Sequence, residues 1–302
     1  MDMNSVRLGG LQGAVKSYGA LRALDGVDLD LRSGEVLAVL GANGAGKSTA
    51  ISLLLGLALP DHGRADLFGE SPQAIGARRN VGVMLQQAGI PPTNTVRELL
   101  DLACSYYPQP FGVLESARMA GIDDLLDRRY GALSGGQQRR VQFALAICGR
   151  PRLVFLDEPT TGLDIDARQA LWRAIRALVD AGTSVLLTTH YLEEADALAN
   201  RIVVLDHGKV IAEGTPREIS ARVARSRIRC MSALSPELVA TWPGVDSAAR
   251  EGARLQVVCE VPEPIVRRLL AEDSALSGLE VTATGLAEAF LALTRADTEE
   301  AA

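Results

Sequence analysis

The stretch VLAVLGANGAGKST, residues 36 to 49, decides the fold. Val36 to Leu40 is apolar without interruption, which suits a strand buried on both faces of a parallel sheet. Directly after it, Gly41-Ala42-Asn43-Gly44-Ala45-Gly46-Lys47-Ser48 fits the pattern G-x-x-x-x-G-K-[ST]. Glycines at these places let backbone N–H groups wrap phosphate oxygens. Lys47 can reach the β and γ phosphates, and the Ser48 hydroxyl can bind Mg²⁺. A helix is expected to begin near Lys47 and to carry Ser48 and Thr49 in its first turn. Strand, glycine loop and helix in this order are the context that a phosphate-binding loop requires.

Further along, RLVFLDEP at 152 to 159 is an apolar strand ending in Asp157. This places the carboxylate at the carboxyl edge of the sheet, near the Mg²⁺, with Glu158 next to it as the residue to orient and polarise an attacking water. SVLLTTH at 184 to 190 is a second such strand, ending in His190, which reaches the same edge and suits a γ-phosphate contact. DARQALWRAIRALVDAG lies between the two as a helix, making a β-α-β unit. Upstream, LDGVDLDLRS at 24 to 33 alternates apolar and polar residues up to a turn at Ser33-Gly34, and IVVLDHGKVIAEG at 202 to 214 reads as a hairpin turning at Asp206-His207-Gly208. His62 and His207 fall in turn-like contexts and read as surface residues.

Residues 90 to 150 change character. Pro91-Pro92 breaks the chain, and TVRELLDLACSYY (95 to 107) and LESARMAGIDDLLDRRY (114 to 130) show helical spacing. After about Arg222 the motifs stop. RIRCMSA, RLQVVCE and LEVTAT read as strands, and VPEPIVRRLLAED and GLAEAFLALTRA as helices, giving a second, small α+β domain. The expected organisation is α/β: residues 1–221 form one domain with a helical part at about 88–150, and 222–302 the accessory domain.

The 302 residues carry a net charge of -6, which argues against a protein that coats nucleic acid. The longest apolar run, AISLLLGLAL at 50 to 59, is half the length of a membrane-spanning helix, and MDMNSVRLGG lacks the apolar run of a secretory signal. Cys104, Cys148, Cys230 and Cys259 have no metal-like spacing and suit a reducing cytosol, as small buried hydrophobes.

A second phosphate cradle appears in LSGGQQRR at 133 to 140, where a Ser-Gly-Gly run opening a helix should grip an anion. One nucleotide should not need two cradles so far apart. Together the motifs resemble the nucleotide-binding subunit of an ATP-binding cassette (ABC) transporter: GANGAGKST is similar to its Walker A, LSGGQ to its signature, LVFLDEP to Walker B, TGLD to the D-loop and TTH to the H-loop. They stand in the family's order over about residues 5 to 220. The resemblance implies a P-loop NTPase core of RecA type with an N-terminal antiparallel β subdomain and a helical insertion. It also implies ATP and Mg²⁺ as ligands and pairing of two cassettes head to tail. Ser134, Gly135, Gly136 and Gln137 would then serve the γ-phosphate of the opposing cassette, which explains the second cradle, and Asp164 would support that opposing site. Tyr18 matches the aromatic that stacks on adenine. Gln86 matches the glutamine that senses Mg²⁺ and the γ-phosphate, with Gln87 as the alternative. Ile165 stands where many members carry proline.

The resemblance also bears on partners. With no spanning segment, the pathway would lie in a separate polytopic membrane permease that binds a small-molecule, lipid or polymer substrate. The ATPase would be cytoplasmic, held at the inner face of the membrane through that permease, with an identical or paired cassette. The helical insertion would meet the permease. GVMLQQAGIPPTNTVREL and LEVTATGLAEAFLALT resemble segments of the drug-, antibiotic- and polysaccharide-export class. The alternative is a soluble ABC ATPase clamping DNA or ribosomes, against which stand the short insertion, the single cassette and the net charge. No nucleic acid partner is expected. Arg222, Arg225, Arg227 and Arg229 form a basic run that reads as a solvated face or as a contact with the membrane or permease.

Overall fold

The computed structural model describes residues 6–86, 88–221 and 226–283, together with 286, 289 and 290. Gln87, Arg222, Arg225 and most of GLAEAFLALTRA lie outside the described residues. The chain divides into two compact units, Met1–Pro216 and Arg217–Ala302, so the division falls a few residues before the position read from the sequence.

In the first unit, β1 (Arg7–Tyr18) and β2 (Leu21–Arg32) pair antiparallel, and the alternation in β2 buries Val27, Leu29 and Leu31. Strand β3 (Val36–Leu40) is buried at every residue and leads into α1 (Lys47–Leu54). Strand β4 (His62–Leu67) completes a three-stranded sheet in the order β2-β1-β4. After α2 (Ile75–Arg78) and β5 (Val81–Met84) comes the helical segment of α3 (Val96–Ser105), α4 (Val113–Met119) and α5 (Gly135–Ile147), with 3-10 turns at Asp123–Leu125 and Tyr130–Ala132. The helix expected across 114 to 130 therefore ends early, where Gly121 takes a left-handed φ of 63°. Then follow β6 (Leu153–Asp157), α6 (Ile165–Asp180), β7 (Ser184–Thr189), α7 (Leu192–Leu198), β8 (Arg201–Asp206) and β9 (Lys209–Gly214).

The main sheet has six strands in the order β5-β6-β7-β3-β8-β9, parallel except for the β8–β9 hairpin. Alternation along its strands splits the interior into two cores. Leu153 and Phe155 of β6 join Leu37, Val39 and Leu205 in a core closed by β1, β2 and α1. Val154 and Leu156 join Val36, Val185 and Leu187 in a core closed by α3 to α7. Because β3, β6 and β7 run parallel, the residues that follow their carboxyl ends meet at one edge of the sheet.

Helix α8 (Pro216–Ala221) begins at the division between the units. The second unit then runs β10 (Ser226–Met231), α9 (Pro236–Ala240), β11 (Val245–Glu251), β12 (Arg254–Cys259), α10 (Pro262–Glu272) and β13 (Ser277–Ala283). Its sheet order is β11-β12-β10-β13 with every neighbouring pair antiparallel, the split β-α-β arrangement of ferredoxin-like folds. Ile228, Leu255, Val257, Trp242, Ile265 and Leu269 form its core.

Candidate functional site

A cavity of about 420 Å³ opens at the carboxyl edge of the main sheet. The loop after β3 contributes Asn43, Gly44 and Gly46, and α1 adds Lys47, Ser48 and Thr49. Gln86 and Glu158 come from the ends of β5 and β6, and the β1–β2 turn supplies Tyr18, with Leu21 and Ala23. Gly44 has a φ of 87°, and a Cβ there would meet nothing within 4 Å, so its glycine is required by backbone conformation. Gly46 is required twice over, by a φ of 107° and by Ala23 O, which a Cβ would approach to 2.5 Å. Gly41 and Ala45 do not line the cavity; a Cβ on Gly41 would lie 2.5 Å from Leu205 O, so that glycine seats the loop on β8.

Lys47 is buried, and its Nζ donates to Gly41 O at 2.8 Å and Ala42 O at 3.0 Å. Burial lowers its pKa, while the carboxylates of Glu158 and Asp157 act in the opposite direction. The ammonium is thus turned to the loop in an anionic neighbourhood, ready to exchange carbonyl partners for phosphate oxygens. Asp157 is buried beside it, and its Oδ1 accepts a hydrogen bond from Thr188 Oγ1 of β7 at 2.5 Å.

Glu158 is the most constrained residue of the site. Its φ of 48° lies in the left-handed region, which for a non-glycine residue costs of order 1–3 kcal/mol. Its backbone N–H donates to Thr188 O at 3.1 Å and faces Thr188 Oγ1 at 3.2 Å, which holds that conformation. Its side chain has three partners. Gln86 Nε2 and Thr161 Oγ1 donate to Oε2 at 3.2 and 3.3 Å, and His190 Nδ1 lies 3.2 Å from Oε1. The structure therefore brings Gln86, Glu158 and His190 together, from the ends of three different strands. Thr161 and Thr188 were not singled out from the sequence, although Thr161 stands in EPTTGLD beside the residues that were.

Ser134, Gly135, Gly136 and Gln137 do not line this cavity. Ser134 caps α5 in a capping box: its hydroxyl accepts from Gln137 N at 3.3 Å, and Gln137 Oε1 accepts from Ser134 N at 3.0 Å. A Cβ on Gly135 would meet nothing within 4 Å, and one on Gly136 would touch only Leu163 and Ala167 at ordinary contact distances. Among the described residues nothing asks for glycine at either place. Asp164 likewise caps α6, accepting from Ala167 N at 2.8 Å. Ile165 is then the first helical residue, the place at which proline is favoured, and its side chain is exposed.

A second cavity, of about 430 Å³, shares Gln86 with the first and runs to Gly135 and Thr161. Arg139 of α5 lies there; its Nη1 donates to Leu85 O at 3.4 Å and to Gln142 Oε1 at 3.1 Å. Among the described residues no group of three or more His, Cys, Asp or Glu is placed to hold a metal ion.

The comparisons agree with this geometry. The family described as "ABC transporter" matches residues 24–161. The daunorubicin/doxorubicin resistance ATP-binding protein DrrA of Streptomyces peucetius is 44% identical over 226 residues, covering 72% of this chain and 68% of that protein. A Nod factor export ATP-binding protein of Ralstonia nicotianae is 35% identical over 300 residues, 94% of this chain and 92% of its own. Among solved structures, an ATP-binding subunit of an ABC transporter superposes with a TM-score of 0.66 at 28% identity, over 72% of this chain and 93% of that one. A dimeric bacterial ABC transporter cassette superposes with a TM-score of 0.64 at 25% identity, over 69% and 98%.

Proposed function

The chain belongs to the ABC transporter family, and we propose that it is the ATP-hydrolysing subunit of an exporter, driving a separate membrane permease by closure of a cassette dimer. It binds and hydrolyses ATP. The observation that carries the assignment is the convergence of Lys47, Gln86, Glu158 and the glycine loop on one cavity, with His190 on Glu158. Export follows from the relatives, which are described as resistance and Nod factor export proteins. A clamp on DNA or ribosomes finds no support among them.

In this reading the N–H groups of Asn43 to Ser48 wrap the phosphates, with Thr49 beside them, and Tyr18 stacks on adenine. Lys47 neutralises charge on the transferred phosphoryl group, Glu158 aligns and polarises the attacking water, and His190 steadies the γ-phosphate. Ser48, Gln86 and Asp157 offer the hard oxygen ligands that fit Mg²⁺, which when bound supplies further charge neutralisation at the phosphates. Gly135 and Gly136, bare for no reason internal to the chain, face the nucleotide of a second cassette, and Ser134, Gln137 and Asp164 complete that contact.

The permease contact is assigned to an apolar groove of about 320 Å³ lined by Leu55, Leu57, Val81, Val83, Leu85 and Tyr107, where core and helical segment meet. Leu57 is 63% exposed, which fits a surface covered by a partner. Among the described residues no helix is long and apolar enough to cross a membrane, consistent with peripheral attachment on the cytoplasmic side through the permease. The transported compound is recognised there, as a small molecule, lipid or polymer. The test is Glu158→Gln, which keeps the donor contacts but not the base. With ATP it should run as a dimer on a sizing column and show no turnover; a monomer in ATP, with its permease present, overturns the dimer mechanism.

A further inference from the structure

Glu194 is fully buried on α7, one helical turn beyond His190, and the reaction scheme above does not use it. Its Oε1 accepts a hydrogen bond from Trp172 Nε1 of α6 at 3.1 Å. Its backbone N–H donates to Tyr191 O at 3.1 Å. The hydroxyls of Thr160 and Thr189 and the guanidinium of Arg168 face the same carboxyl group. These neighbours come from the loop after β6, the end of β7 and α6. Thr160 lies two residues after Glu158, Thr189 directly precedes His190, and Arg168 and Trp172 belong to the helix that Asp164 caps.

This cluster is a poor way to stabilise a fold. Glu194 Oε2, Thr160 Oγ1 and Arg168 Nε are buried without a partner at hydrogen-bonding distance. Buried polar atoms left in that state are costly, and an apolar side chain of similar size would be cheaper at the same place. Local rules broken in this way point to a functional constraint.

We propose that Glu194 is a positioning residue for ATP hydrolysis, a buried clamp that holds the segments carrying Glu158, Asp164 and His190 in one register. The proposal rests on the ATPase reading above. The carboxyl group does not line the nucleotide cavity; it acts through His190 and through the start of α6. Burial pushes its pKa above the usual carboxylate value, against smaller opposing effects from Thr189, Trp172, Thr160 and Arg168. The clamp works through hydrogen bonds that a side-chain oxygen accepts, as from Trp172 Nε1, and a glutamine can supply that oxygen in its place. An alanine cannot, and a misplacement of an ångström or less at the reacting centre costs up to about 100-fold in rate.

The experiment uses the full chain with its permease, and reads steady-state ATP turnover beside binding of a fluorescent ATP analogue. Glu194→Ala should lower kcat about tenfold or more while the analogue's Kd stays within about twofold, because the phosphate loop is untouched. Glu194→Gln should recover kcat to within about threefold of wild type. In a His190→Ala background, Glu194→Ala should cost clearly less than it does alone, since part of its effect passes through that histidine. An unchanged kcat in Glu194→Ala, equal damage from Gln and Ala, or the full loss persisting without His190 each overturns the proposal. If Glu194→Ala does not fold, Trp172→Phe decides, because it removes the Nε1–H donor and keeps an aromatic ring in the same place. Lowered kcat at unchanged Kd supports the clamp, and unchanged kcat overturns it. Absence of turnover in the wild type would instead overturn the ATPase reading itself.

Discussion

Gly135 shows how a single residue can separate folding from activity. It opens α5, where a carboxylate would favour the helix dipole by about 0.3–1 kcal/mol. No atom of the described residues lies within 4 Å of a Cβ there. Gly135→Asp should therefore melt at or above the wild-type temperature in calorimetry, while ATP turnover falls at least about tenfold through repulsion of the γ-phosphate. A loss of melting temperature in proportion to activity would place the glycine's role inside the fold. The loop residues Gly44, Gly46, Lys47 and Ser48 were legible because one short segment contains both their chemistry and their strand–loop–helix context. Glu194 was not. In the sequence it is one acidic residue in YLEEADALAN, and its importance arises from Trp172 and Thr160, which lie far along the chain. Gln86 was legible only by resemblance, and its hydrogen bond to Glu158 has no local signature.

Elements were legible where apolar spacing marked them, whatever stood at their ends. T-x-x-E at Thr95 and Glu98 forms a complete capping box at the start of α3, and Thr95→Ala should cost about 1 kcal/mol in chemical denaturation. Strand β11, VDSAARE, went unread because it is a largely exposed edge strand with almost no apolar alternation. The 3-10 turns between α4 and α5 were read as helix because apolar spacing continues through Ile122, Leu125 and Leu126, which are buried all the same. In the second unit, Asp273 ends α10 and accepts from Ser232 Oγ and Ala233 N at 2.7 Å and from Ala275 N at 2.9 Å. The hydrogen bonds from Ser232 and Ala233, and to a lesser extent Ala275, lower its pKa against an opposing effect of burial. Its contribution to stability is fully present above the ordinary carboxylate value of 3.8 and is lost as pH falls through the lowered value. Trp172→Phe leaves Trp242 as the sole tryptophan, inside this unit's core. Its fluorescence should report acid unfolding whose pH dependence below 3.8 shrinks when Asp273→Asn is added.

At the scale of the whole molecule, one sheet divides two cores and brings its chemistry to a single edge. Ligand binding at that edge should stabilise the folded unit around it. At ATP concentrations near 100 times Kd the gain is about 2.7 kcal/mol, seen as a raised melting temperature that Lys47→Ala abolishes. Leu57→Glu should keep that shift, since the residue is exposed and outside the nucleotide cavity, but lose co-purification with the permease. Persistent co-purification would move the membrane contact elsewhere. The position of the signature glycines, away from the chain's own nucleotide cavity, also has a genetic consequence. A chain carrying Lys47→Ala spoils its own ATP site but still offers a sound surface to its neighbour, and a chain carrying Gly135→Asp does the reverse. Expressed alone, each allele is null. Where the second cassette is another copy of this chain, random mixing of the two makes half the pairs hybrid, each with one sound site and one doubly broken, so roughly a quarter of the wild-type sites return. Two loss-of-function alleles of one gene would then complement each other.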